Sequence, residues 1–467
     1  MGSNYDLIIK NGNVVLENKV ETLDIAIKDG KIVQIGKHMD VKGEVIDAEN
    51  SFVLPGMIDV HVHFSEPGRE HWEGFVTGSH ALAKGGCTTF FDMPLNGIPS
   101  TINVPAFHQK GFIGEEKSVI NFGLWGGLVP GNLEELAGLA EKGVIGFKAF
   151  LSPTGTPEFE NVDDLTLMEG MKKIAKANKV LALHSESGDL VSRLAEEKIS
   201  QGKFSADDYS SSRPVIAEVE AVSRALVFAE ETGCSIHFVH ISSAKAVDLI
   251  TEAKRKGLDI SVETCPHYLW FNQSSLVDKG AVAKCAPPLR VEAERKSLWE
   301  KVSLGEIDMI SSDHSPCPTE DKEKFANDYF KAWGGISGGQ SSLEAFFDKA
   351  YYDYNLSLPQ IAKLTAENAA KRFGLFPDKG MIREGSDADL VILNPDINNQ
   401  CKQEDLLYKH PHSPYVGETF RCKVTHTICH GNLVYEQLKN KVFNNRGKWL
   451  KVISGVREKN GERFNEY

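Results

Sequence analysis

The sequence predicts an α/β protein: a TIM (β/α)8 barrel with a small β-sandwich domain built from the N- and C-terminal segments. Three observations carry this. Through the middle of the chain, short apolar runs alternate with amphipathic helical stretches, the pattern of parallel strands joined by crossover helices. At both ends, apolar and polar residues alternate around turn dipeptides instead, the pattern of antiparallel hairpins. Finally, six polar residues fall at the C-terminal ends of the predicted strands, where a barrel of this kind gathers its chemistry.

The β-rich beginning reads "YDLIIKNGNVVLE", "LDIAIKDGKIVQIG" and "GEVIDAENSFVLPG", and the far end repeats the pattern in "GSDADLVILNPD" and "KVTHTICHGNLVYEQ". One small domain assembled from residues 1–54 and 379–467 follows, with the barrel, 55–378, inserted between them. The barrel strands are expected in "MIDVHVHF", "CTTFFDMP", "VINFGLWGG", "GFKAFLS", "VLALHSE", "SIHFVHIS", "DISVETC" and "IDMISSDHSP". Helical patterns such as "DLTLMEGMKKIAKAN" and "AKAVDLITEAKRKG" lie between them. The excursion from "FNQSSLVDKG" to "KVSLG", between the seventh and eighth strands, is too long for a plain crossover and is expected to hold a functional loop.

Composition excludes several function classes. At 467 residues the chain can bury a large core, and its 41% hydrophobic and 25% charged residues are ordinary for a globular protein. A net charge of −13 gives no footprint for nucleic acid or for an anionic membrane. The long uncharged run Ser118 to Leu133 is broken by glycines and a proline, so no membrane span is expected. The eight cysteines are scattered without CxxC pairs. With no secretion signal at the start, they read as reduced thiols in a cytoplasmic protein.

Strand parity selects the candidate site. His61 and His63 are two apart in "DVHVHF" and so share a face. Reading the other strand ends in order adds Lys148, His184, His240 and Asp313. Imidazoles with a carboxylate suit a divalent metal such as zinc, manganese, cobalt, nickel or iron. Of the two histidines in "HFVH", only one can face inward by parity: His240 is the expected ligand, and His237 is expected to pack toward the helices. Asp59 lies deeper, where it can hydrogen-bond a ligand histidine. His314 should face away from Asp313, and His71, His80 and His267 read as structural. Lys148 either faces outward and extends its amine to the surface or lies buried among cations with a lowered pKa; as a neutral amine it could then capture CO2 as a carbamate.

With these residues in place the chain resembles the amidohydrolase superfamily over essentially its whole length, and within it the cyclic amidohydrolases: dihydroorotases, dihydropyrimidinases or hydantoinases, and allantoinases. The resemblance implies a binuclear metal centre held by His61, His63, Lys148, His184, His240 and Asp313, with the lysine carboxylated. It further implies that a hydroxide bridging the two ions attacks a ring carbonyl, with Asp313 as general base and acid. Dihydroorotases carry an arginine where this chain has Ser65, and dihydropyrimidinases a tyrosine where it has Pro153. By contrast "HFSEPGREHWEGF", "DMPLNGIPST", "KCAPPLR" and "SSDHSPCP" resemble the allantoinases. That likeness implies hydrolytic opening of the hydantoin ring of allantoin to allantoate, with hydantoinase or dihydropyrimidinase activity as the alternative. It also implies substrate contacts from Asn96, Cys285, Ser315, Ser337 and Gly338, several of them through backbone groups, and a homo-oligomer, either tetramer or dimer.

Overall fold

A computed structural model describes residues 4–39, 42–453, 456–459 and 462–465. The eight predicted strands are all present and parallel. They are β1 (Met57–Val62), β2 (Cys87–Asp92), β3 (Asn121–Leu124 continued by Gly126–Gly127), β4 (Phe147–Phe150), β5 (Val180–His184), β6 (Ser235–Phe238), β7 (Ile260–Thr264) and β8 (Met309–Ile310). Each pairs with the next in sequence order: β1 with β2 and β2 with β3, then β3 through Gly126–Gly127 with β4, and onward to β8. An isolated parallel bridge from Val62 to His314 links the first strand to the segment following the last.

The intervening helices form where the sequence supplies a cap and an apolar stripe. Helix Asp164–Lys176 begins where the Asp163 carboxylate accepts the Thr166 N–H (2.7 Å), and it buries Leu167, Gly170, Met171 and Ile174, a three-and-four spacing along one face. Helix Ala244–Arg255 is capped by Ser243 and ends on Lys254 and Arg255, cations placed at the negative end of the helix dipole. Side chains on one face of the strands meet these helices in a large apolar layer. A second cluster that includes Phe91, Trp125, Val239 and Phe373 fills another part of the core.

The two ends of the chain meet in one nine-stranded sheet. Phe52–Pro55 pairs antiparallel with Leu390–Asn394, which joins the N-terminal strands to the C-terminal ones. Ile9, Ile25, Val53, Leu390, Ile392 and Ile428 form that sheet's own core. Beyond it the chain returns to β3: the Gly447 N–H donates to the Ser118 carbonyl (2.9 Å), and Trp449 bridges Phe122. Gly111 makes room for the Trp449 ring, since a Cβ there would lie 2.0 Å from it.

Candidate metal centre and active site

The six residues at the strand ends lie together. Asp313 Oδ1 is 3.3 Å from both His61 Nε2 and His63 Nε2, and the donor atoms of these three side chains all fall within 4.8 Å of one another. His184 Nδ1 and His240 Nε2 are 3.0 Å apart. The ring of His240 is 5.4 Å from that of His61, so the two groups adjoin. Two of the six sit where the backbone has a positive φ, His240 at 39° and Asp313 at 44°, a conformation L residues rarely adopt unless their surroundings over-determine it.

Lys148 is fully buried, and its Nζ has no hydrogen-bond partner. Burial pushes its pKa down to about 7, against the pull of the Asp313 and Glu263 carboxylates. His63 Nδ1 and His240 Nδ1 are also buried and unpartnered. Unsatisfied donors and acceptors inside a protein are costly. An unpartnered buried amine beside a His-His-Asp cluster fits a site completed by divalent cations, with imidazole and carboxylate ligands of the right chemistry. For Asp313, burial raises the pKa, but His61 and His63 outweigh it and bring the carboxyl to about 2, so it is ionised at neutral pH.

His237 departs from the sequence expectation. It does not pack toward the helices. Strand register sets Lys148 beside Ala182, Ala182 beside His237, and His237 beside Ser261, and laterally paired residues share a face of a sheet. His237 therefore faces the same side as Lys148. Its Nδ1 meets Ser261 Oγ at 2.8 Å and its Nε2 meets Glu263 Oε2 at 3.0 Å. The parity argument failed because β6 ends at Phe238 and His240, beyond it, turns on a positive φ. Asp59 also differs: its Oδ1 accepts the backbone N–H of Ser312 (3.0 Å) and of His61 (3.3 Å), not an imidazole N–H. His314 does turn away, stacking on Tyr408 at 4.8 Å.

Two carboxylates that the sequence reading passed over hold the histidines. Glu263, on β7, sets Oε1 2.6 Å from His61 Nδ1 while its other oxygen takes His237. Burial alone would raise its pKa; His61 and the hydrogen bonds of both histidines hold it well below the usual carboxylate range. Glu186 sets Oε2 2.9 Å from His184 Nε2 and pairs with Arg213. Carboxylates behind imidazoles fix which ring nitrogen carries the proton and how the ring is turned. Each had a legible signal, a glutamate within or just past an apolar strand.

A cavity of about 510 Å³ opens over the cluster, lined by His61, His63, His184, His240 and Asp313. Of the expected substrate contacts, Asn96 and Ser315 are on its wall; Cys285 lies between two wall residues, Lys284 and Ala286. The Cys285 carbonyl already accepts the Tyr209 hydroxyl. Ser337 and Gly338 are not among the residues that line the cavity, and their carbonyls accept the hydroxyls of Ser413 and Ser342. Pro153 is on the wall, and Ser65 is buried with an unpartnered hydroxyl.

An array of imidazoles, a carboxylate and a desolvated lysine at the C-terminal ends of parallel strands is a donor set that could hold a divalent metal, and the comparisons place the chain among hydrolases. The amidohydrolase family model matches residues 52–434, and the chain belongs to that family as a cyclic amide hydrolase. Among its relatives, an allantoinase of Bacillus velezensis is 49% identical over 96% of this chain and 98% of its own length. One of Rubrobacter xylanophilus is 46% identical over 93% and 95%. Among solved structures, the L-hydantoinase (dihydropyrimidinase) of Arthrobacter aurescens superposes with a TM-score of 0.93 at 33% identity, covering 96% of this chain and all of that one. No helix among the described residues is long and apolar enough to cross a membrane.

Proposed function

We propose that the protein hydrolyses the hydantoin ring of allantoin to give allantoate. The observation that carries this reading is near-half identity to an allantoinase over almost the entire chain, in a protein whose family cluster surrounds one cavity. Two divalent ions, zinc or else manganese, cobalt, nickel or iron, fit the donor set. His61, His63 and Asp313 would hold one, His184 and His240 the other, and a carboxylated Lys148 would serve both. Such ions supply Lewis acidity and lower the pKa of water. Asp313 accepts the proton of the attacking water and returns it to the leaving ring nitrogen. Asn96 and Ser315 contact the ring from the cavity wall, and Cys285, Ser337 and Gly338 complete the proposed set of substrate contacts.

The same likeness supports reading the eight parallel strands as a closed TIM (β/α)8 barrel spanning 55–378. On this reading the nine-stranded sheet is a β-sandwich made from 1–54 and 379–467. A cytoplasmic homo-oligomer, tetramer or dimer, acting on a small molecule and on neither nucleic acid nor membrane completes the proposal.

A second reading, hydantoinase or dihydropyrimidinase activity, is favoured by the 0.93 TM-score. Pro153 weighs against it, because a proline cannot donate the hydrogen bond of a tyrosine hydroxyl. The test assays allantoin, hydantoin, dihydrouracil and dihydroorotate, each with manganese, cobalt and zinc. Allantoin should be fastest and dihydroorotate negligible, since Ser65 offers no cation for a carboxylate. Efficient dihydroorotate turnover would overturn the assignment.

A further inference from the structure

We propose that Lys284 is a specificity-determining residue that binds the exocyclic ureido arm of the substrate, an inference that rests on the allantoin reading above. The floor of the cavity is accounted for by the histidines and Asp313, and much of the wall is apolar, with Leu95, Phe150, Val191, Ala195, Ile199 and Phe330. Against that background stands a buried lysine. Lys284 is 4% exposed, yet it lines the cavity. Its Nζ donates to the Ala332 carbonyl (2.5 Å) and lies 4.5 Å from the centre of the Tyr209 ring. Arg213 approaches the same ring at 5.7 Å, so two basic side chains meet at one aromatic platform.

Placing an amine here is expensive. Desolvation, reinforced by Lys322 and Arg213, holds its pKa well below the ordinary lysine range. Holding the wall does not require it. Lys322, just behind, already donates to the carbonyls of Trp333 (2.8 Å) and Gly335 (2.7 Å), and the Trp333 ring N–H donates to the Ser315 carbonyl (3.0 Å).

One of the amine's N–H groups is used by Ala332, which leaves at least one for a partner in the cavity. Allantoin differs from plain hydantoin by a carbamoylamino group, whose carbonyl is an acceptor and whose N–H groups are donors. When the scissile ring amide sits over the His-Asp floor, the arm extends toward the wall. There Lys284 is a buried donor for its carbonyl, and the Tyr209 ring supplies a flat surface beside it.

The experiment compares wild type with Lys284→Met and Lys284→Gln, measuring kcat/KM for allantoin and for hydantoin. Loss of one hydrogen bond from a charged or strongly polarised donor should lower the allantoin-to-hydantoin ratio roughly 10–100-fold, expressed mainly in KM. Hydantoin turnover reports on the fold and the metal site within the same preparation. Glutamine can still donate to the Ala332 carbonyl, so it keeps the wall anchored if methionine does not. An unchanged ratio in either variant, whatever the absolute rates, would overturn the assignment. A wild type that opens allantoin no faster than hydantoin would instead overturn the reading on which it rests.

Discussion

Glu263→Gln is the most direct test of how the site is held. The carboxylate accepts from His61 at 2.6 Å and from His237 at 3.0 Å, and the His240 backbone N–H lies 3.3 Å from the same oxygen that takes His61. One fully buried group thus orients a ligand histidine, supports the loop carrying another, and fixes the proton of His61 on Nδ1, leaving Nε2 free to bind a metal. Glutamine has the same shape but one acceptor and one donor. Whichever way its amide is turned, its NH2 faces a ring nitrogen or backbone N–H that the carboxylate used to accept from. The loss is about one charge-assisted hydrogen bond, on the order of 1.5–3 kcal/mol, which matches the roughly 10–100-fold drop in metal affinity expected when a group behind a ligand is removed. The assay strips the protein of metal, titrates zinc or manganese back, and follows both metal bound per chain and allantoin turnover. Affinity in the variant equal to wild type would show that Glu263 serves packing alone.

Asp313→Asn should keep the cavity and lose the base, lowering turnover roughly 10²–10⁴-fold; near-normal steady-state rates would assign the proton to another group. Lys148→Ala should remove activity and the second metal while the protein stays folded, and acetate or propionate added with excess metal should restore part of the rate. Unchanged metal content and turnover would refute the bridging role. Lys179 concerns stability: its ammonium donates to the Val144 carbonyl (2.8 Å) and reaches that of Val452. Burial lowers its pKa from the usual 10.5 to about 8. Between those values the unfolded chain binds more protons than the folded one, so this group's contribution to stability rises with pH and is least favourable below 8. Denaturant unfolding of wild type and Lys179→Met across pH 7–10.5 should show a steeper rise in wild type, and parallel curves would refute the linkage.

Much of this was legible because parallel strands write their positions plainly. Every apolar run expected as one of the eight strands became a parallel strand, and the strand-end rule brought His61, His63, Lys148, His184, His240 and Asp313 to one place. The reading failed where a local rule outran its domain. Period-two parity holds only while the chain remains a strand, and β6 stops at Phe238, so parity could not decide between His237 and His240. Glu263 and Glu186 were missed for a different reason: their meaning is the partner they find, and each finds it through register. His61 is 202 residues from Glu263, a distance that no local pattern spans. A buried charge in an apolar strand was the available clue. Burying an unpaired carboxylate is prohibitively costly, so a glutamate in "ISVETC" obliges the fold to bring it cations or hydrogen-bond donors. In a sequence whose other strand ends are histidines, those donors are the histidines. The same reasoning applies to Lys284 on the cavity wall, where the Ala332 carbonyl is the acceptor the structure supplies.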